Sequence, residues 1–97
     1  MPKINSIYIR STYPMLDVNK VKETLKDVIV DRLGVEADIL NYDTQLFGDG
    51  EIGLDSIDSL EIISAVDDEY GVNMTGVGKE NFYNIDAIAA YVVAHAE

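Results

Sequence analysis

The chain has 97 residues, 47% of them apolar and 26% charged, and it lacks cysteine, which excludes disulfides, thiolate metal sites and thiol catalysis. A chain of this length buries roughly 60–65% of its unfolded surface, enough for one core of helices or a small sheet and too little for a multi-domain enzyme. Its formal net charge of −11 repels nucleic-acid phosphates and anionic membranes, so neither nucleic acid nor membrane insertion is expected.

Residues 1–16 contain two prolines and no helical period, and they read as an N-terminal leader, extended or loosely ordered, ahead of a folded domain over 17–97. Asp17 is placed to cap a first helix. In it Val21, Leu25, Val28, Ile29 and Leu33 fall on one face, with Lys20, Lys22, Glu23, Lys26, Asp27, Asp31 and Arg32 on the other. Gly34 is its natural stop. Glu36 to Asp55, rich in Asn, Asp, Thr and Gly, reads as a long loop pinned to the core by Ile39, Leu40, Leu46 and Phe47. Loops of this length in small domains are often functional.

Ser56 to Tyr70 is the second helix, stopped by Gly71. The spacing of Ser59, Ile62, Ile63, Val66 and Tyr70 predicts its buried face. The opposite face holds Asp58, Glu61, Asp67, Asp68 and Glu69, with Ile57 and Leu60 set among the acids. Apolar side chains ringed by charge mark a docking surface, unless the helix is rotated enough to bury Leu60. A short third helix is expected over Lys79 to Tyr83, giving Phe82 to the core. Asn84 then caps a last helix, with Ile85, Ile88, Ala89 and Val92 at helical spacing and an end near Ala96. No strand-like alternation of useful length occurs. These elements predict an all-α chain, a four-helix, mostly antiparallel bundle with a long first loop and a short third helix.

Charge is divided unevenly along these elements. Residues 1–33 carry six basic and four acidic side chains, whereas 34–97 carry one basic residue, Lys79, against fourteen acidic ones. Such a field steers toward a basic patch on another protein. The longest apolar run, Ala87 to Ala94, is far short of the ~18 residues of a membrane span, and the N-terminus has no signal-peptide pattern, so a soluble, cytoplasmic protein is expected.

Candidate chemistry narrows quickly. A serine hydrolase needs a nucleophile, a base and a group that orients the base. Gly53-Leu54-Asp55-Ser56-Ile57 is not the G-x-S-x-G elbow, and the lone histidine, His95, at the end of the last helix, reads as a solvent-facing partner of the helix dipole. An EF-hand loop fails in both registers: from Asp43 the fifth and twelfth positions are Phe47 and Leu54, and from Asp49 the sixth and twelfth are Leu54 and Leu60. Weak surface binding of divalent ions by clustered carboxylates stays open. Ser56 stands where a loop meets a helix N-terminus. Taken alone it reads as an ordinary N-cap, in a place where unpaired amides favour an anion such as phosphate.

The segment Gly53-Leu54-Asp55-Ser56-Ile57-Asp58-Ser59-Leu60-Glu61 resembles the Asp-Ser-Leu motif of acyl carrier proteins, with Ile57 in the Leu position. The acidic second helix, the Leu33-Gly34-Val35 end of the first helix and the helix from Ile85 onward also look like that family's, over roughly residues 18–96. The resemblance implies a non-enzymatic carrier whose 4′-phosphopantetheine arm is attached to Ser56, with Asp55 as the preceding acid, and which carries acyl groups as thioesters. It implies as partners a phosphopantetheinyl transferase and acyl-transferring and synthase enzymes of fatty-acid or related biosynthesis. Their basic patches would dock on Ile57, Asp58, Leu60, Glu61, Asp67, Asp68 and Glu69 of a monomeric carrier. Leu46, Phe47, Ile62, Val66 and Ile88 are expected to line a space for the acyl chain. The leader, a first helix about a turn longer than in the bacterial fatty-acid type, the expanded Gly48–Gly53 stretch and Ser64 in place of an exposed apolar residue suggest a specialised member. The alternatives are an arm-free docking subunit that binds a basic partner through the acidic helix, and a D-alanyl or peptidyl carrier. Asp55 before the serine argues against the peptidyl kind.

Overall fold

The computed structural model describes residues 17–96, so the expected leader, 1–16, lies outside the described residues. Helix α1 spans Val18–Leu33 and begins where the Asp17 carboxylate accepts a hydrogen bond from the Asn19 N–H at 2.9 Å. Its core stripe is Val21, Leu25 and Ile29, spaced by four, while Val28 and Leu33 at the stripe's edges are half-buried. Gly34 ends the helix at φ +71°, a left-handed conformation that glycine adopts without Cβ strain.

The loop that follows contains a single 3-10 turn, Ala37–Ile39, and is held to the core as expected. Leu40 and Leu46 are fully buried, and Ile39 and Phe47 are half-buried. Backbone bonds fasten it to the far end of the chain: the Leu46 N–H donates to the Tyr83 carbonyl at 2.9 Å and the Asp86 N–H to the Tyr42 carbonyl at 3.0 Å.

Helix α2 is Ser56–Tyr70, closed by Gly71 at φ +68°. It buries Ile62, Ala65 and Val66, whereas Ser59, Ile63 and Tyr70, expected on the inner face, are only half-buried. Val72 and Met74 in the following connection complete the core from outside any helix. Helix α3, Ile85–His95, is capped by Asn84, whose side chain accepts from the Ala87 N–H at 2.8 Å, and it buries Ile85, Ile88, Ala89 and Val92 as the spacing predicts. Helix α1 packs against both α2 and α3.

The expected count of four helices needs correction. The described residues hold three α-helices, and the short third helix is a 3-10 turn, Lys79–Phe82. It is one turn long, begins at Gly78 without a side-chain cap, and closes with the Asn81 N–H on the Gly78 carbonyl at 3.0 Å. Four residues provide too few i→i+4 bonds to propagate an α-helix before the Asn84 cap starts α3. The turn still delivers Phe82 to the core at 8% exposure. No strand forms among the described residues; Phe47 and Leu54 make an isolated β-bridge. None of the described helices is long and apolar enough to cross a membrane.

Candidate functional site

The site is built by the loop ahead of α2. The Leu54 N–H donates to the Leu46 carbonyl at 2.8 Å and the Gly48 N–H to the Leu54 carbonyl at 3.3 Å, so 48–53 closes on itself as a small loop. Gly48 and Gly53 take positive φ values of +87° and +67° where it turns. Leu54, only 7% exposed, is plugged into the core, and the next residue is thereby held at the surface in an extended conformation.

That residue, Asp55, is the N-cap. Its Oδ1 accepts from the N–H groups of Ile57 at 3.0 Å and Asp58 at 3.1 Å, and the Asp55 N–H donates to Asp58 Oδ2 at 3.0 Å. The pattern is a capping box with aspartate at both ends. Ser56 is therefore not the cap. It is the first residue of α2, exposed, with its hydroxyl outside the cap bonds, while its carbonyl accepts from the Ser59 hydroxyl at 2.6 Å. Two of the amides that could have seated an anion are occupied, those of Ile57 and Asp58, both taken by the Asp55 carboxylate.

Beside Ser56 opens a groove of about 670 Å³, lined by Phe47, Leu54 and Asp55 from the loop, Ser56, Ser59 and Ile63 from α2, and Met74, Val77, Lys79, Phe82 and Tyr83 from the chain beyond it. Of the residues expected to line an acyl space, Phe47 does so. Leu46, Ile62, Val66 and Ile88 do not: each is fully buried in the core and none is among the residues that line the groove. A second depression, along α1 among Thr24, Asp27, Val28 and Asp31, touches none of the motif residues.

The face of α2 expected to dock partners is largely exposed. Ile57 is 72% and Leu60 62% exposed, so the rotated helix that would bury Leu60 is not what forms. Glu61, Asp67, Asp68 and Glu69 are exposed around them, and Asp58, drawn into the cap, is half-buried. Sequence reading missed that Arg32 at the end of α1 lies 3.7 Å from Glu61. His95 is engaged within its own helix, with Nδ1 2.9 Å from the Tyr91 carbonyl and its ring stacked on Tyr91 at 3.9 Å. Among the described residues no group of three or more His, Asp or Glu could hold a metal ion.

Residues 23–92 match the family described as the phosphopantetheine attachment site. An acyl carrier protein of Clostridium acetobutylicum is 31% identical over 77 residues, which is 79% of this chain and 97% of the relative. The chain belongs to the acyl carrier protein family. Other carriers are similar to it as well, one of Solidesulfovibrio magneticus at 37% over 70 residues (71% of this chain, 87% of the relative) and one of Akkermansia muciniphila at 28% over 74 residues (76% and 90%). The protein is thus an acyl-group carrier and not an enzyme, and its cofactor is a covalently attached 4′-phosphopantetheine. With no cysteine in the chain, the thiol that bears the acyl group is the cofactor's own. The carrier's working partners are, as a class, synthases and transferases.

Proposed function

We propose that Ser56 carries the arm and that the face around Ile57 and Leu60 is where partner enzymes dock. One observation supports the first part above all others: the Asp55–Asp58 capping box releases the Ser56 hydroxyl from any structural duty, at an exposed position that opens onto an apolar groove. The residues fit a covalent arm. Attachment at Ser56 disturbs no core contact, and an acyl chain hung from the arm has Phe47, Leu54, Ile63, Met74 and Phe82 to cover it.

The chemistry divides accordingly. When bound, the cofactor supplies the thiol on which acyl groups travel as thioesters. Ser56 supplies Oγ, which would bond to the pantetheine-side phosphorus of coenzyme A as the pyrophosphate P–O bond breaks, the hydroxyl proton leaves and adenosine 3′,5′-bisphosphate departs. The base for that proton belongs to the phosphopantetheinyl transferase, because His95 is tied to Tyr91 and the Asp55 carboxylate to the helix cap. Asp55 acts by fixing the start of α2, which points Ser56 outward.

Docking follows from exposure and charge. Basic patches on the transferase, acyltransferases and synthases pair with Asp58, Glu61, Asp67, Asp68 and Glu69, around Ile57 and Leu60 as apolar anchors. Exposed pairs contribute only about 0–1 kcal/mol each, so contacts are weak and short-lived, as a carrier that serves several enzymes in turn requires. In this reading residues 17–97 are the carrier domain, 1–16 a leader, and the carrier a cytoplasmic monomer, where coenzyme A, the arm's donor, is at hand. A role in fatty-acid or a related specialised biosynthesis fits the relatives. The helices are read as alternating in direction, supported by Arg32 near the end of α1 meeting Glu61 in the second turn of α2, and by Lys22 and Asp86, 2.8 Å apart, joining the N-terminal parts of α1 and α3.

Intact mass after incubation with coenzyme A and a promiscuous phosphopantetheinyl transferase tests the reading. One arm is expected on the wild type and none on Ser56→Ala. A wild type that stays unmodified beside a modified control carrier favours the arm-free docking subunit.

A further inference from the structure

The groove beside Ser56 is mostly apolar, yet one cation, Lys79, is part of its lining. Lys79 is the only lysine or arginine in residues 34–97, which hold fourteen acidic residues. It is exposed, and the ion pairs among the described residues are Lys22–Asp86 and Arg32–Glu61, so no described carboxylate pairs with it. A hydrocarbon chain in the groove is served by Leu54, Ile63, Met74 and Phe82 without help. An ammonium adds three hydrogen-bond donors and a full charge, which a ligand with anionic oxygen uses and a hydrocarbon does not. The other fixed charge in the lining, Asp55, is negative and repels such a ligand. Recognition of an anion here therefore depends on Lys79.

We propose that Lys79 makes this groove a site for an acyl group that ends in a carboxylate, a dicarboxylic half-thioester carried on the arm. The proposal rests on Ser56 bearing the arm. The methylenes of the cargo lie on the apolar lining while its far carboxylate pairs with Lys79 Nζ. Anionic oxygen is also present on the arm itself, in the phosphodiester. Two cargoes of equal length, one with a carboxylate and one without, separate the sources, because the phosphodiester is common to both.

The full chain is loaded from hexanoyl- and adipoyl-coenzyme A by a promiscuous transferase, and intact mass establishes each product. Cleavage of each thioester by hydroxylamine is then timed in the wild type, Lys79→Gln and Lys79→Arg, relative to the same thioester of free pantetheine. In the wild type the adipoyl thioester is expected to be protected about threefold more than the hexanoyl one, the size an exposed ion pair gives. Lys79→Gln should remove that difference, Lys79→Arg keep it, and high salt reduce it. Equal protection of the two cargoes in the wild type overturns the proposal. So does a Lys79→Gln effect of the same size on both, which assigns Lys79 to the phosphodiester. Failure of the wild type to load is seen separately by mass and overturns the arm on Ser56, and this proposal with it.

Discussion

At the start of α2 two adjacent polar residues divide the labour: Asp55 holds the helix end and Ser56 stands clear of it. Asp55→Ala removes the bonds to the amides of Ile57 and Asp58. It should cost about 1 kcal/mol, a drop of roughly 4–8 °C in Tm for a domain of this size. Ser56→Ala should leave stability within about 0.5 kcal/mol, since the hydroxyl caps nothing. Thermal unfolding followed by circular dichroism checks the pair; equal losses would contradict this division of roles. The motif singles out Ser56 in the sequence, but does not say which residue caps. Serine and aspartate are both good N-caps, and the box here has aspartate where Glu or Gln is usual at its third position. Arg32 beside Glu61 was illegible for a different reason: it joins residues 29 positions apart, and only the packing of α1 on α2 brings them together.

At the scale of elements, the inner and outer faces of the helices respond to different tests. Ile88→Ala in α3 opens a cavity among fully buried neighbours and should destabilise by about 2–5 kcal/mol, a large part of a small domain's stability, as read from chemical denaturation. Leu60→Ala, on an exposed face of α2, should leave the denaturation midpoint unchanged while lowering kcat/KM several-fold for the transferase and other docking enzymes. A stability loss at Leu60 equal to that at Ile88 would remove the argument for a docking face. Helix positions were readable because caps and stops are local. Asp17, Asn84, Gly34 and Gly71 all act where the sequence places them. The α3 stripe was also read correctly, since a strongly apolar helix leaves little freedom of rotation. In α2 the buried face turns toward Ala65, because a small residue lets that side approach the core closely, and Ser59, Ile63 and Tyr70 move to its edge. Val72 and Met74 had no periodicity to reveal them, being single apolar residues in a connection that packs only once the helices are assembled.

For the whole molecule, the proposed reading assigns encounter to the distribution of charge and cargo to the groove. The acids of α2 belong to residues 34–97, about two thirds of the chain, which carry a net charge of −13, and in the proposed reading that field draws basic partners in. Raising ionic strength from about 0.1 to 1 M shortens the screening length from ~10 to ~3 Å. Transferase kcat/KM should then fall by about tenfold or more, and a salt-independent rate would contradict electrostatic docking. The groove was the least legible feature of all. Its walls come from the loop ahead of α2, from α2 and from the chain beyond it, and no sequence pattern announces which apolar side chains meet there. Leu46, Ile62, Val66 and Ile88 looked like lining because they are apolar and near the motif, and they are core for the same apolar reason.

The central claim is that Ser56 bears the arm, and locating the modification by mass spectrometry tests it most directly. Between Arg32 and Lys79 the chain has no lysine or arginine, so trypsin leaves residues 33–79 as one fragment that holds Ser56, Ser59 and Ser64. After loading by the transferase, backbone fragmentation of that peptide should place the whole added mass between Asp55 and Ile57. The same mass on Ser59 or Ser64, or its absence from this peptide, would contradict the account.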